Sequence, residues 1–350
     1  MCIIAGYNGT KRAAPLIIEM LRKTEGIDAG CYTGIATLHE GKIHYRKLAG
    51  NLDRLLAETD AMDLPGNIGI IHSRTPGGHN GDSWAHPFTH EKEGDTLTAM
   101  VLNGIGGCRA EAHKNILPKK LREILAAPGY ELKSKGSYDG KEKHLPHCDD
   151  EGNMYHISDM VCQNVSRKIF EEGMTPTLAL EKSYEELGGE NVVLMLSVTT
   201  PEVINYCRLN FPMFVGFADH GACLATVPLA FAEHTEKYHL LPALSTGTVT
   251  KDGFTVQKMP NPPFTVAPIT PKVMGTAWAK VPDYMARGER PFSPAFIDAF
   301  EKADCTEKNA VSWMLLTEYY KQGKLDFEKE LLPGVREGLL KTKFNFIWKG

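Results

Sequence analysis

The apolar run Ile3-Ile4-Ala5-Gly6-Tyr7 begins two residues from the start of the chain and constrains its folding more than any other stretch. Closed by Asn8-Gly9, it reads as a first buried strand ending in a turn. Cys2 then stands at the head of that strand. Cys is small enough for an aminopeptidase to remove the Met before it, which would leave Cys2 with a free α-amine beside its own thiol. A free thiol titrates near ~8.5 and an α-amine near ~7.7 to 8.0, so at neutral pH the amine can take the proton that the sulfur gives up. Nucleophile and base then share one residue. Taken alone, Cys2 reads equally as a small packing residue, as most free cysteines are.

The chain behind this strand is that of an ordinary globular protein. Its 350 residues, 42% hydrophobic and 23% charged, can bury a sizeable core and leave room for one large domain and a smaller one. A formal net charge of -4 and the lack of a basic run give no reason to expect nucleic acid. No apolar run reaches membrane-spanning length and the N-terminus lacks a secretory pattern, so no membrane is expected and the cytoplasm is the expected location. The eight cysteines show no CxxC pair or repeated spacing, which argues for reduced thiols over a disulfide framework or a zinc ribbon.

Residues 13–23 carry helical spacing behind Pro15. Residues 33–38 and 43–48 form a hairpin around Glu40-Gly41-Lys42, and a helix covers 52–61. A buried strand at 67–72 runs into a glycine-rich loop at 74–85, and a strand at 96–102 ends at Asn103-Gly104. A helix is expected at 158–172 and strands at 191–198, 214–217, 222–228 and 248–257. Strands and helices come in runs without βα alternation, which favours a layered α+β fold. Prolines 260, 262, 263, 268 and 271 mark residues 258–272 as a linker. That divides the chain into a domain at 2–257 and a C-terminal region at 273–350, expected to be helical around 292–303, 310–320 and 327–340.

Four features fall in a telling order: Cys2, the strand end His72-Ser73-Arg74, the triplet Ala85-His86-Pro87, and Leu102-Asn103-Gly104. Together they resemble the glutaminase domain of the class-II, N-terminal-nucleophile glutamine amidotransferases, most of all the glutaminase half of glucosamine-6-phosphate synthase. Glu25-Gly26-Ile27-Asp28-Ala29-Gly30 sits where that family has a glycine-rich turn. Ile157-Ser158-Asp159 resembles its Ser-Asp motif opening a helix, and Val215-Gly216-Phe217-Ala218 and Ala225-Thr226-Val227-Pro228 resemble its closing strands. The likeness covers residues 2 to 257. It implies the four-layer αββα sandwich of the N-terminal-nucleophile hydrolases, here with a small helical C-terminal extension, and hydrolysis of L-glutamine through a Cys2 thioester.

The resemblance also implies a role for each matched residue. Cys2 attacks the side-chain carbonyl, and the Asn103 amide with the Gly104 backbone N–H holds the oxyanion. Arg74 binds the substrate α-carboxylate bidentately and Asp159 its α-ammonium. After its arginine the family carries a hydroxyl and a histidine that help seat glutamine, a part that Thr75 or His79 could take here, and His86 is a weaker site residue whose place before Pro87 reads as structural. Each motif alone has an ordinary reading: Arg74 as a loop charge, Asn103-Gly104 as a hairpin turn, Asp159 as a first-turn helix acid. The sequence departs from the family at Ile3, where glycine is usual and where the larger residue is expected to crowd Cys2. It departs again at Thr75-Pro76-Gly77-Gly78-His79-Asn80-Gly81, which is one residue shorter.

Lys143-His144-Leu145-Pro146-His147-Cys148-Asp149-Asp150 and His156 hold possible ligand atoms in a spacing that fits no zinc or calcium template. No metal and no cofactor are expected, and no phosphate-binding loop is present. Residues 273–350 are too few for a sugar-isomerase or phosphoribosyltransferase domain, so the ammonia acceptor is expected on a separate subunit, if there is one. A homo-oligomer is compatible with the sequence. Two alternatives stand beside this reading: a Cys-nucleophile hydrolase of another amide, and a non-catalytic regulatory module that uses 273–350 to bind a partner.

Overall fold

The computed structural model describes residues 2–27, 29–75, 81–106, 116–137, 148–149, 151–288, 305–334 and 340–350. Strand β1 (Ile3–Gly9) is buried along its whole length and extends through Asn8-Gly9, so the expected turn is strand. It is followed by α1 (Ala13–Thr24), β2 (Tyr32–His39), β3 (Lys42–Leu48), α2 (Leu52–Glu58), β4 (Ile68–Arg74), β5 (Phe88–Lys92) and β6 (Asp95–Gly106). Next come α3 (Ile116–Leu125), the short pair β7 (Gly136–Ser137) and β8 (Asn153–Met154), α4 (Ile157–Phe170) and α5 (Pro176–Leu187). The domain closes with β9 (Gly189–Ser197), β10 (Ile204–Arg208), β11 (Phe214–Ala218), β12 (Gly221–Ala225), β13 (Tyr238–Leu240), β14 (Ser245–Val249) and β15 (Gln257–Lys258).

These strands form a seven-stranded sheet in the order β13-β11-β12-β1-β4-β2-β3 and a six-stranded sheet in the order β15-β14-β10-β9-β6-β5. The pleat of β1 shows how the layers arise. Ile3, Ala5 and Tyr7 point to one face and pack with α1, whereas Ile4 points to the other and joins Val101 and Leu194 of the second sheet. Leu102 and Met100 of β6 face outward onto α4 and α5. Helix, sheet, sheet, helix is the resulting order, the layering expected from the resemblance. Each fully buried Ile or Leu in these cores stabilises the fold by roughly 1.5–3 kcal/mol.

The region after the proline-rich segment departs from expectation. α6 (Pro271–Ala286) and α7 (Lys308–Lys321) are helical, and the expected helix at 292–303 lies outside the described residues. Where a helix was expected at 327–340, the described residues are strand, β16 (Leu325–Pro333) pairing antiparallel with β17 (Leu340–Trp348), and residues 335–339 lie outside the described residues. Phe344, Phe346 and Trp348 recur every second residue, and aromatic rings at period two pack on a pleated surface. Val273, Ala277, Val281, Trp313, Leu316 and Phe344 share one core with Ile3 and α1, so the apolar face of this region is covered from within the chain. The expected strand at 248–257 is also interrupted: β14 stops at Val249 and the chain reverses through a Thr250–Gly253 backbone bond of 2.9 Å.

Candidate active site

The start of β1 and the end of β4 meet β6 at Asn103 and Gly104, which lie inside that strand: β6 pairs with β9 through Gly106, where an end after residue 102 was expected. The Cys2 backbone nitrogen donates to Asn103 Oδ1 at 3.1 Å, and the Cys2 sulfur lies 3.9 Å from Thr75 Oγ1. Because the Cys2 N–H must meet an acceptor, this bond fixes which way the Asn103 amide faces, and Nδ2 is turned to the other side. That nitrogen is buried and has no partner among the described residues. A buried donor without an acceptor costs on the order of 1–3 kcal/mol, which a ligand oxygen would recover.

Gly104 follows with φ +129°, and a Cβ there would lie 2.2 Å from the carbonyl oxygen of Glu190 on the paired strand β9. Only glycine permits this approach. His72 on β4 bonds Leu102 O through Nε2 at 3.0 Å and so ties the two sheets together one residue before Asn103. A carbonyl accepts only, so Nε2 carries the proton. Burial and the nearby Arg74 push this imidazole down to about 3, which keeps it neutral.

Arg74 ends β4 with its guanidinium over the rings of Tyr32, at 4.9 Å, and Trp84, at 5.6 Å. Its Nη1 is a second buried donor without a partner among the described residues. Burial lowers its pKa, opposed by the nearby Cys2 and Tyr32. Ser73, one residue back, donates to buried Glu25 Oε1 at 3.0 Å and accepts from Gly30 N at 2.9 Å.

Ile3 differs from its expected role. Its side chain lies in the outer core with α1, on the face of β1 opposite the inter-sheet face that Ile4 occupies, so it does not crowd Cys2. His86 is fully buried, its ring 3.9 Å from that of His72 and packed edge-on to Phe88 at 4.7 Å and His156 at 5.3 Å. Burial holds its pKa well below the ordinary value.

Asp159 has its side-chain hydrogen bonds with Ser134 and Gln163, and none joins it to Cys2, Arg74 or Asn103 among the described residues. It is 1% exposed, Oδ2 accepts from Ser134 N at 2.9 Å and Ser134 Oγ at 2.8 Å, and Oδ1 accepts from Gln163 Nε2 at 3.4 Å. Burial raises its pKa, opposed by the Ser134 bonds and by the charge of Lys47. Pro76, Gly77, Gly78, His79, Asn80, Cys108, His144 and His147 lie outside the described residues. The sequence carries no sign of Tyr32, Trp84 and Ser134, and shows His72, Ser73 and Glu25 only as parts of motifs without a role, because their contacts span distant parts of the chain and leave no local pattern. Among the described residues no cysteine is in a disulfide, no group of three or more candidate metal ligands gathers, and no helix is long and apolar enough to cross a membrane.

No protein-family model matches the chain. Glutamine–fructose-6-phosphate aminotransferase [isomerizing] of Pyrococcus horikoshii is 30% identical over 261 residues, which cover 73% of this chain and 38% of that protein. The same-named protein of Clostridium acetobutylicum is 29% identical over 256 residues, 72% of this chain and 36% of its own. The chain thus spans less than two fifths of the length of these curated relatives. Among solved structures, a glutamine phosphoribosylpyrophosphate amidotransferase from B. subtilis aligns over 99% of this chain and 72% of its own, with a TM-score of 0.58 at 12% identity. That likeness concerns the fold alone.

Proposed function

We propose, for a chain that belongs to the class-II glutamine amidotransferases, that Cys2 freed of Met1 hydrolyses L-glutamine to glutamate and ammonia. The observation that carries the reading is the Cys2 N to Asn103 Oδ1 bond of 3.1 Å, with Asn103 Nδ2 buried and without a partner among the described residues. One side chain then holds the base by its oxygen and offers the oxyanion a donor by its nitrogen.

The Cys2 thiol gives its proton to the α-amine, and the sulfur attacks the side-chain carbonyl carbon of glutamine. The carbonyl π pair moves to oxygen, where Asn103 Nδ2 and the Gly104 N–H receive the charge. Collapse breaks the C–N bond, the ammonium form of Cys2 returns the proton to the leaving nitrogen, and ammonia departs from a thioester. Water, deprotonated by the same amine, then releases glutamate and the thiol. Arg74, with Nη1 unspent, takes the α-carboxylate as a fork. Asp159 takes the α-ammonium in place of one of its contacts to Ser134. We place the unit that performs this at residues 2–257 and propose that its ammonia passes to an acceptor.

A second reading has one observation in its favour. Because both Asp159 oxygens are already engaged, the site also suits a primary amide that carries a carboxylate and no α-ammonium. Turnover of L-glutamine compared with 4-carbamoylbutanoate, by Met1-free protein and its Cys2→Ala variant, tests both. Ammonia from glutamine in the parent alone supports the first reading, and a preference for the deaminated amide supports the second. No ammonia from either substrate contradicts both.

A further inference from the structure

The turn that follows α1 is crossed at close range by β17. Phe344 N donates to Gly26 O at 3.0 Å. Gly26 has φ +98°, and a Cβ there would come within 2.9 Å of the Thr342 carbonyl oxygen, so the crossing depends on glycine. At that crossing Thr342, 8% exposed, donates its hydroxyl to Glu25 Oε2 at 3.4 Å.

Glu25 is itself 4% exposed, and its other oxygen is shared by three elements. Oε1 accepts from Leu52 N at 2.9 Å, Ser73 Oγ at 3.0 Å and Thr33 Oγ1 at 3.4 Å. Burial raises its pKa, while the Leu52 and Ser73 bonds and the charge of Lys329 on β16 oppose the shift and Asp53 adds to it. Lys329, its Nζ bonded to Arg22 O, is pushed down to about 8 by burial. Ser73 is joined by a peptide bond to Arg74, and Cys31 N holds Arg74 O at 3.0 Å. A buried hydroxyl–carboxylate–hydroxyl chain therefore runs from the C-terminal hairpin to Ser73, the residue next to the one that carries the guanidinium.

From this we infer that the β16–β17 hairpin is a positioning element of the glutamine site, with Thr342 acting through Glu25 and Ser73 to set where Arg74 meets the substrate carboxylate. The inference rests on the glutamine reading above. A bidentate fork is directional, and small misplacement of a binding group is expensive in rate or affinity. The hairpin acts on ground-state binding, because the groups it touches lie on the Arg74 side of the site and none of them contacts Cys2 or Asn103. It also gives residues 273–350 a task inside the molecule, in place of the partner-binding task considered from sequence.

Thr342→Val removes the hydroxyl and keeps the shape, and Thr342→Ser keeps the hydroxyl. In Thr342→Val the KM for glutamine should rise about fivefold to tenfold with kcat within about twofold, the pattern of lost uniform binding. Thr342→Ser should restore the parent value. Alkylation of Cys2 by iodoacetamide, which carries no α-carboxylate, should be unchanged in both. An unchanged KM in a folded Thr342→Val, or a loss of kcat and alkylation rate together, would overturn the inference. Should the parent protein fail to turn over glutamine, the functional reading falls by itself and hydrogen exchange of the 72–75 amides decides the coupling: faster exchange in Thr342→Val but not in Thr342→Ser upholds it, and equal exchange ends it.

Discussion

The two sides of the site differ in how much hydrogen-bonding capacity they have left. On the Cys2 side, Asn103 Nδ2 and Arg74 Nη1 are buried donors with no partner among the described residues. On the Asp159 side, both carboxylate oxygens are occupied by Ser134 and Gln163. Unspent donors inside a protein are costly and persist where a ligand supplies the acceptor. Acceptors already bonded within the protein have less to offer a newcomer. On the proposed reading, the groups that would face the substrate carboxylate are organised in advance, whereas the group that would face its ammonium already serves bonds within the protein.

Removing the unspent donor should have the largest effect. Asn103→Ala is expected to lower kcat by ~10² to 10³ with little change in KM, since the amide acts mainly on the transition state. It should also loosen the Cys2 amine. An effect confined to KM would break the comparison by showing that Asn103 is a binding group.

Arg74→Ala and Asp159→Asn sharpen the contrast when measured side by side. A lost charge-assisted contact of ~1.5 to 3 kcal/mol corresponds to roughly 10- to 100-fold in KM for Arg74→Ala. Asp159→Asn should change KM by less than that and lower the melting temperature, because Ser134 N and Oγ lose part of a charged acceptor. Equal KM increases in the two variants would put the carboxylate on the same footing as the guanidinium and erase the distinction.

The smallest effect concerns pH. His72 is held neutral at the joint between the sheets, with its folded pKa pushed from 6.5 down to about 3. A group whose folded pKa is depressed contributes stability that is full above its unfolded value and is lost as pH falls from about 6.5 toward 3. Within that window the loss approaches about 1.4 kcal/mol per pH unit for one such group. The urea midpoint should therefore fall between pH 7 and pH 5, and fall less in His72→Gln. Equal slopes would show that His72 is not what holds the β4–β6 joint against acid.

Legibility in the sequence followed the same division. Cys2 and Arg74 were readable because each sits at the end of a strand whose apolar residues declare it, and Asn103 because an apolar run leads into it, although β6 continues past it to Gly106. Asp159 was readable as a first-turn acid of α4, yet nothing local to residues 157–159 announces Ser134, which approaches from another segment. Glu25 was seen only as part of a glycine-rich turn, since its partners Leu52, Ser73 and Thr342 are scattered over the chain. The hairpin was misread at 327–340 because Glu328, Lys329, Glu330, Leu331 and Leu332 are tolerant of helix, while the period-two signal lies in Phe344, Phe346 and Trp348 beyond the expected helix. Ile3 was expected to crowd Cys2 because its effect was judged from adjacency, although neighbours along a strand point their side chains to opposite sides.

The central claim is that Cys2, with its own amine held by Asn103, is the nucleophile. Met1-free protein treated with a glutamine-mimicking diazo-ketone and mapped by peptide mass spectrometry tests it most directly. The account predicts a single adduct on Cys2, formed more slowly in Asn103→Ala and prevented by excess L-glutamine. An adduct on Cys31 or Cys108, or labelling of Cys2 that excess glutamine does not slow, would contradict it.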